Sequence, residues 1–167
     1  MIKSPLAPKK FILPKVISGI KLGCSFSGIK YKKRDDLLII SLPEDAVVCG
    51  VFTKSSMASP AVNWSKRKIS SNNKLRAIIV NAGNANVFNG LDGDRAISKI
   101  INKTASSLNI RSNQILIAQT GVIGEPFNYS KVINSIDNAV NNLKPDNWIC
   151  ASKAIMTTDT YHKIASL

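Results

Sequence analysis

Histidine, cysteine and acidic residues are scarce in this chain of 167 residues, and each shortage removes a class of chemistry. His162 is the single histidine, so a His-based triad or a His-rich metal site would need groups from elsewhere. It reads as a surface residue near a frayed end. The three cysteines, Cys24, Cys49 and Cys150, are odd in number, widely spaced and without a C-x-x-C pair. That pattern predicts neither a disulfide framework nor a zinc site, and no metal is expected. Cys49 lies in an apolar run and is expected to be a small buried residue. No uninterrupted apolar run approaches the ~20 residues of a membrane span. The N-terminal stretch Met1-Ile-Lys-Ser-Pro-Leu-Ala-Pro-Lys-Lys10 is basic, broken by prolines, and followed by no signal-peptide apolar segment. The expectation is a cytoplasmic protein with no membrane partner.

Ten acidic residues stand against 23 Lys and Arg, a formal charge of +13. Basic domains often bind nucleic acid, but these lysines are scattered. The densest runs, Lys30-Tyr-Lys-Lys-Arg34 and Lys66-Arg-Lys68, fall in expected loops. With no zinc finger, RNP-like aromatic motif or long basic helix, no nucleic-acid partner is expected. The charge either favours anionic metabolites or is balanced by a partner polypeptide.

At 44% hydrophobic and 20% charged residues, the composition is that of a globular domain with enough length to bury a core. A single domain over 1–167 is expected. Residues 1–14 read as an extended arm, and Gly19, Gly23 and Gly28 as turns between short strands. Leu37-Leu-Ile-Ile-Ser-Leu42 predicts a strand, Pro43-Glu-Asp45 a turn, and Ala46-Val-Val-Cys-Gly-Val-Phe-Thr53 a second strand, together a hairpin. Residues 61–64 read as a short strand, and 65–73 as a brief helix or a surface loop. Arg76-Ala-Ile-Ile-Val80 is a buried-type strand that runs into Asn81-Ala-Gly-Asn-Ala-Asn86. This segment is either an Asn/Gly turn cluster or the polar wall of a pocket at a strand end.

Asp92 reads as the N-cap of a helix whose apolar face is Ala96, Ile97, Ile100, Ile101, Thr104 and Leu108, ending near Asn109. A second helix after Pro126 is marked by Val132, Ile133, Ile136, Val140 and Leu143, with Pro145 as its stop. Asp146 is expected to cap a third, carrying Trp148, Ala151, Ala154 and Ile155. The chain therefore predicts an α/β (α+β) fold with helices covering a sheet.

Between the first two helices lies Ile115-Leu-Ile-Ala-Gln-Thr-Gly-Val-Ile-Gly-Glu-Pro126. A buried strand ending at Thr120-Gly121 presents a hydroxyl beside a sterically open backbone N–H. That pair can hold an oxygen that becomes negative during acyl transfer. The same residues also serve ordinary turn geometry.

Four pieces stand in a fixed order: Gly50-Val-Phe-Thr53, Asn81-Ala-Gly-Asn-Ala-Asn86, Thr120-Gly-Val-Ile-Gly-Glu-Pro126 and Ala154-Ile-Met-Thr-Thr-Asp-Thr160. Together they closely resemble the N-terminal part of the ornithine acetyltransferase family (bifunctional glutamate N-acetyltransferase of arginine biosynthesis), from about Ile17 to Ser166. The resemblance implies a layered α/β sandwich with helices packed on mixed sheets. It implies a longer precursor that cleaves itself before a threonine into α and β chains, the new N-terminal threonine being the nucleophile. It also implies acetyl transfer from N-acetylornithine to glutamate through an acetyl-enzyme, with no cofactor. Many members accept acetyl-CoA as donor. The expected assembly is a heterotetramer of two α and two β chains.

By that resemblance Thr120 and Gly121 stabilise the oxyanion, and Thr158, with Thr157 as fallback, contacts the substrate. The family's next segment, a Lys-Gly pair and then the cleavage-site threonine, is not in this sequence, so no threonine here takes the nucleophile's role. The chain is expected to be most of an α chain, inactive alone and prone to aggregate where the β half would cover it. Two other readings stand beside this one, a self-cleaving aminopeptidase of related fold and a non-catalytic remnant or binding module.

Overall fold

The computed structural model describes residues 4–71 and 74–166. Four strands form one mixed sheet in the order β1 (Lys21–Ser25), β2 (Leu37–Ser41), β3 (Ala77–Asn84), β4 (Ile115–Val122). The first two pairings are antiparallel, and β3–β4 is parallel. Four helices pack on it: α1 (Pro60–Ser71), α2 (Gly90–Leu108), α3 (Tyr129–Asn141) and α4 (Trp148–Ala154). The fold is thus a mixed α/β sheet with helices on both faces, as the sequence predicts.

Strand alternation sorts the core into two sides. Leu37, Ile39, Ala77, Ile79, Ile115 and Ile117 face α1, α2 and α3, whose Ala61, Ile97, Ile100, Ile101, Val132 and Ile136 close over them. Leu22, Cys24 and Leu38 face the other way and meet Ala151 and Ala154 of the short α4, with Ile40, Val80, Trp148 and Cys150 half-covered around them. Burial pushes the Cys24 thiol well above the ordinary thiol value, and it raises Cys150 too. Both thiols therefore stay protonated at neutral pH.

Several elements differ from the sequence reading. Residues 46–53 form no strand, so there is no 37–53 hairpin. β2 pairs instead with β1 and β3. Val47 and Val51 are 78% and 99% exposed, and Cys49 is exposed, not buried. An apolar run becomes a strand only where a neighbour supplies its ladder, and here none does. Residues 61–64 are helical, inside α1, with Pro60 opening the helix where its fixed φ and missing N–H fit. The helix continues to Ser71, and positions 72 and 73 lie outside the described residues.

Gly23 is not a turn but lies mid-strand, because a Cβ there would meet the Ala139 carbonyl oxygen of α3 at 2.0 Å. Asn89, not Asp92, precedes α2, and Asp92 sits in its first turn, 3.0 Å from Arg95. The left-handed Asn109 ends that helix as expected, its N–H reaching back to Ala105 and Ser106 carbonyls. Asn147, not Asp146, precedes α4, and Ile155 is exposed beyond its end. His162 is half-buried rather than frayed, stacked on Phe11 at 4.5 Å. No described helix is long and apolar enough to cross a membrane.

A candidate acyl-transfer half-site

The strand of the Thr-Gly step does not stop there but continues to Val122, paired throughout with β3. Thr120 sits opposite Ala82, and Gly121 opposite Gly83. The two glycines are pressed together. A Cβ on Gly121 would lie 2.3 Å from the Gly83 carbonyl carbon, and Gly121 has φ +132°, a conformation that disfavours side chains.

β4 is an edge strand, and α1 blocks the first half of its free edge. Trp64 Nε1 donates to the Ile115 carbonyl at 2.9 Å. The Ser65 hydroxyl donates to the Ile117 carbonyl at 2.8 Å and accepts from the Ile117 N–H at 3.0 Å. These contacts show that odd-numbered residues aim their backbone groups outward. By the two-residue period the N–H groups of Gln119 and Gly121 face the same open side. Thr120, in step with Leu116 and Ala118, projects its side chain onto the thinly covered face.

Asn81 to Asn86 form neither a pocket wall nor a simple turn. Asn81, Asn84 and Asn86 are buried, and their amides are satisfied by backbone groups and by Gln119 and Asn89. Asn81 donates to the Asn84 carbonyl at 3.0 Å and accepts from Gln119 Nε2 at 2.7 Å. Asn86 donates to Gln119 Oε1 at 3.1 Å and to the Gly93 carbonyl at 3.1 Å. Asn84 donates to the Glu125 carbonyl at 3.1 Å. Buried amides need this pairing, and the network bolts the end of β3 to β4, to α2 and to the loop before α3. The Thr120-Gly121 step is thereby held in place from below.

On the open face a cleft of about 490 Å³ is lined by Lys30, Tyr31, Thr120, Gly121, Val122, Thr157 and Thr158. All four site residues of the sequence reading meet here. Thr157 and Thr158 arrive on the segment after α4, where the Thr157 N–H donates to Asp159 Oδ2 at 3.4 Å. Lys163 pairs with Asp159 and holds its carboxyl below the usual carboxylate value. Lys30 and Tyr31 form the opposite wall, and the sequence singled them out only as part of a charge run. Their loop is anchored by the fully buried Asp36. Its carboxylate accepts from the Ser27 N–H at 2.6 Å, the Ser27 hydroxyl at 2.7 Å and the Ile29 N–H at 3.2 Å. Among the described residues no cluster of His, Cys, Asp and Glu could hold a metal.

A donor pair at a strand edge, flanked by hydroxyls and one ammonium, suits an anionic or carbonyl-bearing small molecule.

The ArgJ family profile matches residues 21–167. The arginine biosynthesis bifunctional protein ArgJ of Mesorhizobium japonicum is 40% identical over 163 residues, 98% of this chain and 39% of the relative. Its namesake from Bartonella henselae is 41% identical over 150 residues, 90% of this chain and 36% of the relative. The chain thus spans about two fifths of the length of these relatives. A crystal structure of ArgJ from Bacillus halodurans superposes with TM-score 0.77 at 27% identity, covering 86% of this chain and 74% of the other. Ornithine acetyltransferase from Mycobacterium tuberculosis, solved with ornithine, superposes with TM-score 0.79 at 25% identity, covering 85% and 77%.

Proposed function

The chain belongs to the ArgJ family, and on that premise we propose that it forms the oxyanion-holding half of an acetyl-transfer site. The observation that carries this reading is the meeting of Thr120 and Gly121 with Thr157 and Thr158 on one cleft, with the Gly121 N–H on the open edge of β4. The nucleophile is an N-terminal threonine of a β chain released from the same precursor, with its own α-amine as base. Its hydroxyl attacks the acetyl carbonyl of N-acetylornithine, and the proton passes to that amine. The Thr120 hydroxyl and Gly121 N–H hold the resulting oxyanion. Collapse expels ornithine, whose amine takes the proton, and leaves an acetyl ester on the threonine. The amine of glutamate then attacks this ester, gives N-acetylglutamate and frees the threonine.

Thr158, with Thr157 beside it, binds substrate in this scheme, and Lys30 supplies positive charge where amino-acid carboxylates enter. The assay below decides whether acetyl-CoA also serves as a donor. Residues 1–167 act as one domain of an α chain, working in the cytoplasm within a heterotetramer of two α and two β chains. Alone it is inactive.

The test is an acetyl-transfer assay of the full-length protein with N-acetylornithine and acetyl-CoA as separate donors and glutamate as acceptor. N-acetylglutamate formed from N-acetylornithine, with a trapped acetyl-threonine, is the expected result. Hydrolysis of aminoacyl amides through a serine would assign the aminopeptidase chemistry instead. Inertness toward every donor would leave a binding module.

A further inference from the structure

We propose that Arg34 is a positioning residue that sets the two walls of the cleft against each other and thereby places Thr157 and Thr158 for substrate. This rests on the reading of the cleft as the acetyl-transfer site. Arg34 spends its guanidinium in three directions. Nη1 donates to the Lys153 carbonyl at 2.8 Å, and Nη2 donates to the Met156 carbonyl. The flat of the group lies 3.6 Å from the centroid of the Tyr31 ring. Tyr31 lines one wall, and Met156 immediately precedes the two threonines of the other.

One of these carbonyls, Lys153, lies in the last turn of α4, and the other, Met156, two residues past its end. A cation is favoured there. A planar fork that bonds two carbonyls while stacking on a ring is a task for arginine, which a lysine point charge performs only in part. The loop carrying Arg34 is itself fixed at its base. Asp36 gathers the 27–29 turn, and its backbone carbonyl accepts from the Ala82 N–H of β3 at 2.8 Å. Arg34 therefore transmits the position of β3 to the segment 156–158, across more than 110 residues of sequence. It touches neither Thr120 nor β4 in any described contact, so the oxyanion donors keep their geometry without it.

The experiment compares wild type, Arg34→Ala and Arg34→Lys in the full-length protein. The readouts are kcat and KM for N-acetylornithine, the thermal midpoint, and amide hydrogen exchange at residues 156–158. Losing two charge-assisted hydrogen bonds should raise KM roughly ten- to a hundredfold in Arg34→Ala, with kcat within about threefold. Arg34→Lys should fall between. Exchange at 156–158 should quicken at least about tenfold in Arg34→Ala. An unchanged KM in an active protein, or parallel loss of kcat and thermal midpoint at constant KM, overturns the proposal. If wild type transfers no acetyl group, the acetyl-transfer reading fails by itself. The exchange rates still decide whether Arg34 holds the segment, and unchanged rates overturn that.

Discussion

The two faces of this sheet are built from the same strands and covered very differently. On one, three helices seal Ile39, Ile79, Ile115 and Ile117 completely. On the other, a seven-residue helix covers the β1–β2 side, while Ala118 of β4 stays exposed and Thr120 and Gly121 half-exposed. The apolar burial that stabilises the fold is concentrated on the first face. The second is left open where the donor pair and the threonine segment meet. A site must admit substrate, so packing and access are divided between the two sides of one sheet.

Substitutions should separate these roles, and Gly121→Ala is the sharpest attempt to merge them. Its added Cβ falls 2.3 Å from the Gly83 backbone at φ +132°. Strain and overpacking together should cost about 2–6 kcal/mol, with acetyl transfer abolished. Denaturant unfolding and an activity assay should therefore fail together. Ile100→Ala touches only the sealed face, where Ile100 is fully buried. It should cost about 2–5 kcal/mol in unfolding free energy and leave kcat and KM of the folded protein unchanged. A change in kcat there would dissolve the division.

Thr120→Ala is the converse. On the open face it should lower kcat roughly 10²–10³-fold, about 3 kcal/mol in the barrier. The unfolding free energy should stay within about 0.5 kcal/mol of wild type. Wild-type kcat with only KM raised would remove Thr120 from the oxyanion role.

The smallest effect concerns Asp159. Its carboxyl is held below its usual value of 3.8, first by the hydrogen bond from Lys163 and then by the Thr157 N–H. A depressed carboxyl adds stability that is complete above the ordinary value and lost as pH falls through the lowered one. The thermal midpoint difference between wild type and Asp159→Asn should therefore hold steady from about pH 7 to about pH 4 and vanish below. A difference that shrank between pH 7 and 5 would place its origin in another group.

The sealed face was largely legible in the sequence. Ile97, Ile100, Ile101 and Thr104 recur at helical spacing and are buried together, and Val132 and Ile136 do the same in α3. The first turn of α1 reads as a strand because Val62 and Trp64 resemble strand residues, although Pro60 marks its start. The run 46–53 was misread because apolar composition does not reveal whether a pairing partner exists. The asparagines from 81 to 86 read as loop because their burial depends on one another and on Gln119. On the open face, the Thr120-Gly121 pair was legible as a motif. Its meeting with Thr157 and Thr158, and the reach of Arg34 to Met156, were not. They join segments far apart in sequence, and no local spacing encodes that.

The Ser65 hydroxyl, which both gives to and takes from Ile117, has a consequence for how the sheet can grow. It imitates a fifth strand for one residue, so any real strand is shut out of the first half of the β4 edge. Beyond it, the outward backbone groups of this edge are those of Gln119 and Gly121. An incoming strand can engage about two ladder positions, and it must do so beside the donor pair. One serine thus marks the point on the β4 edge short of which no strand can be added.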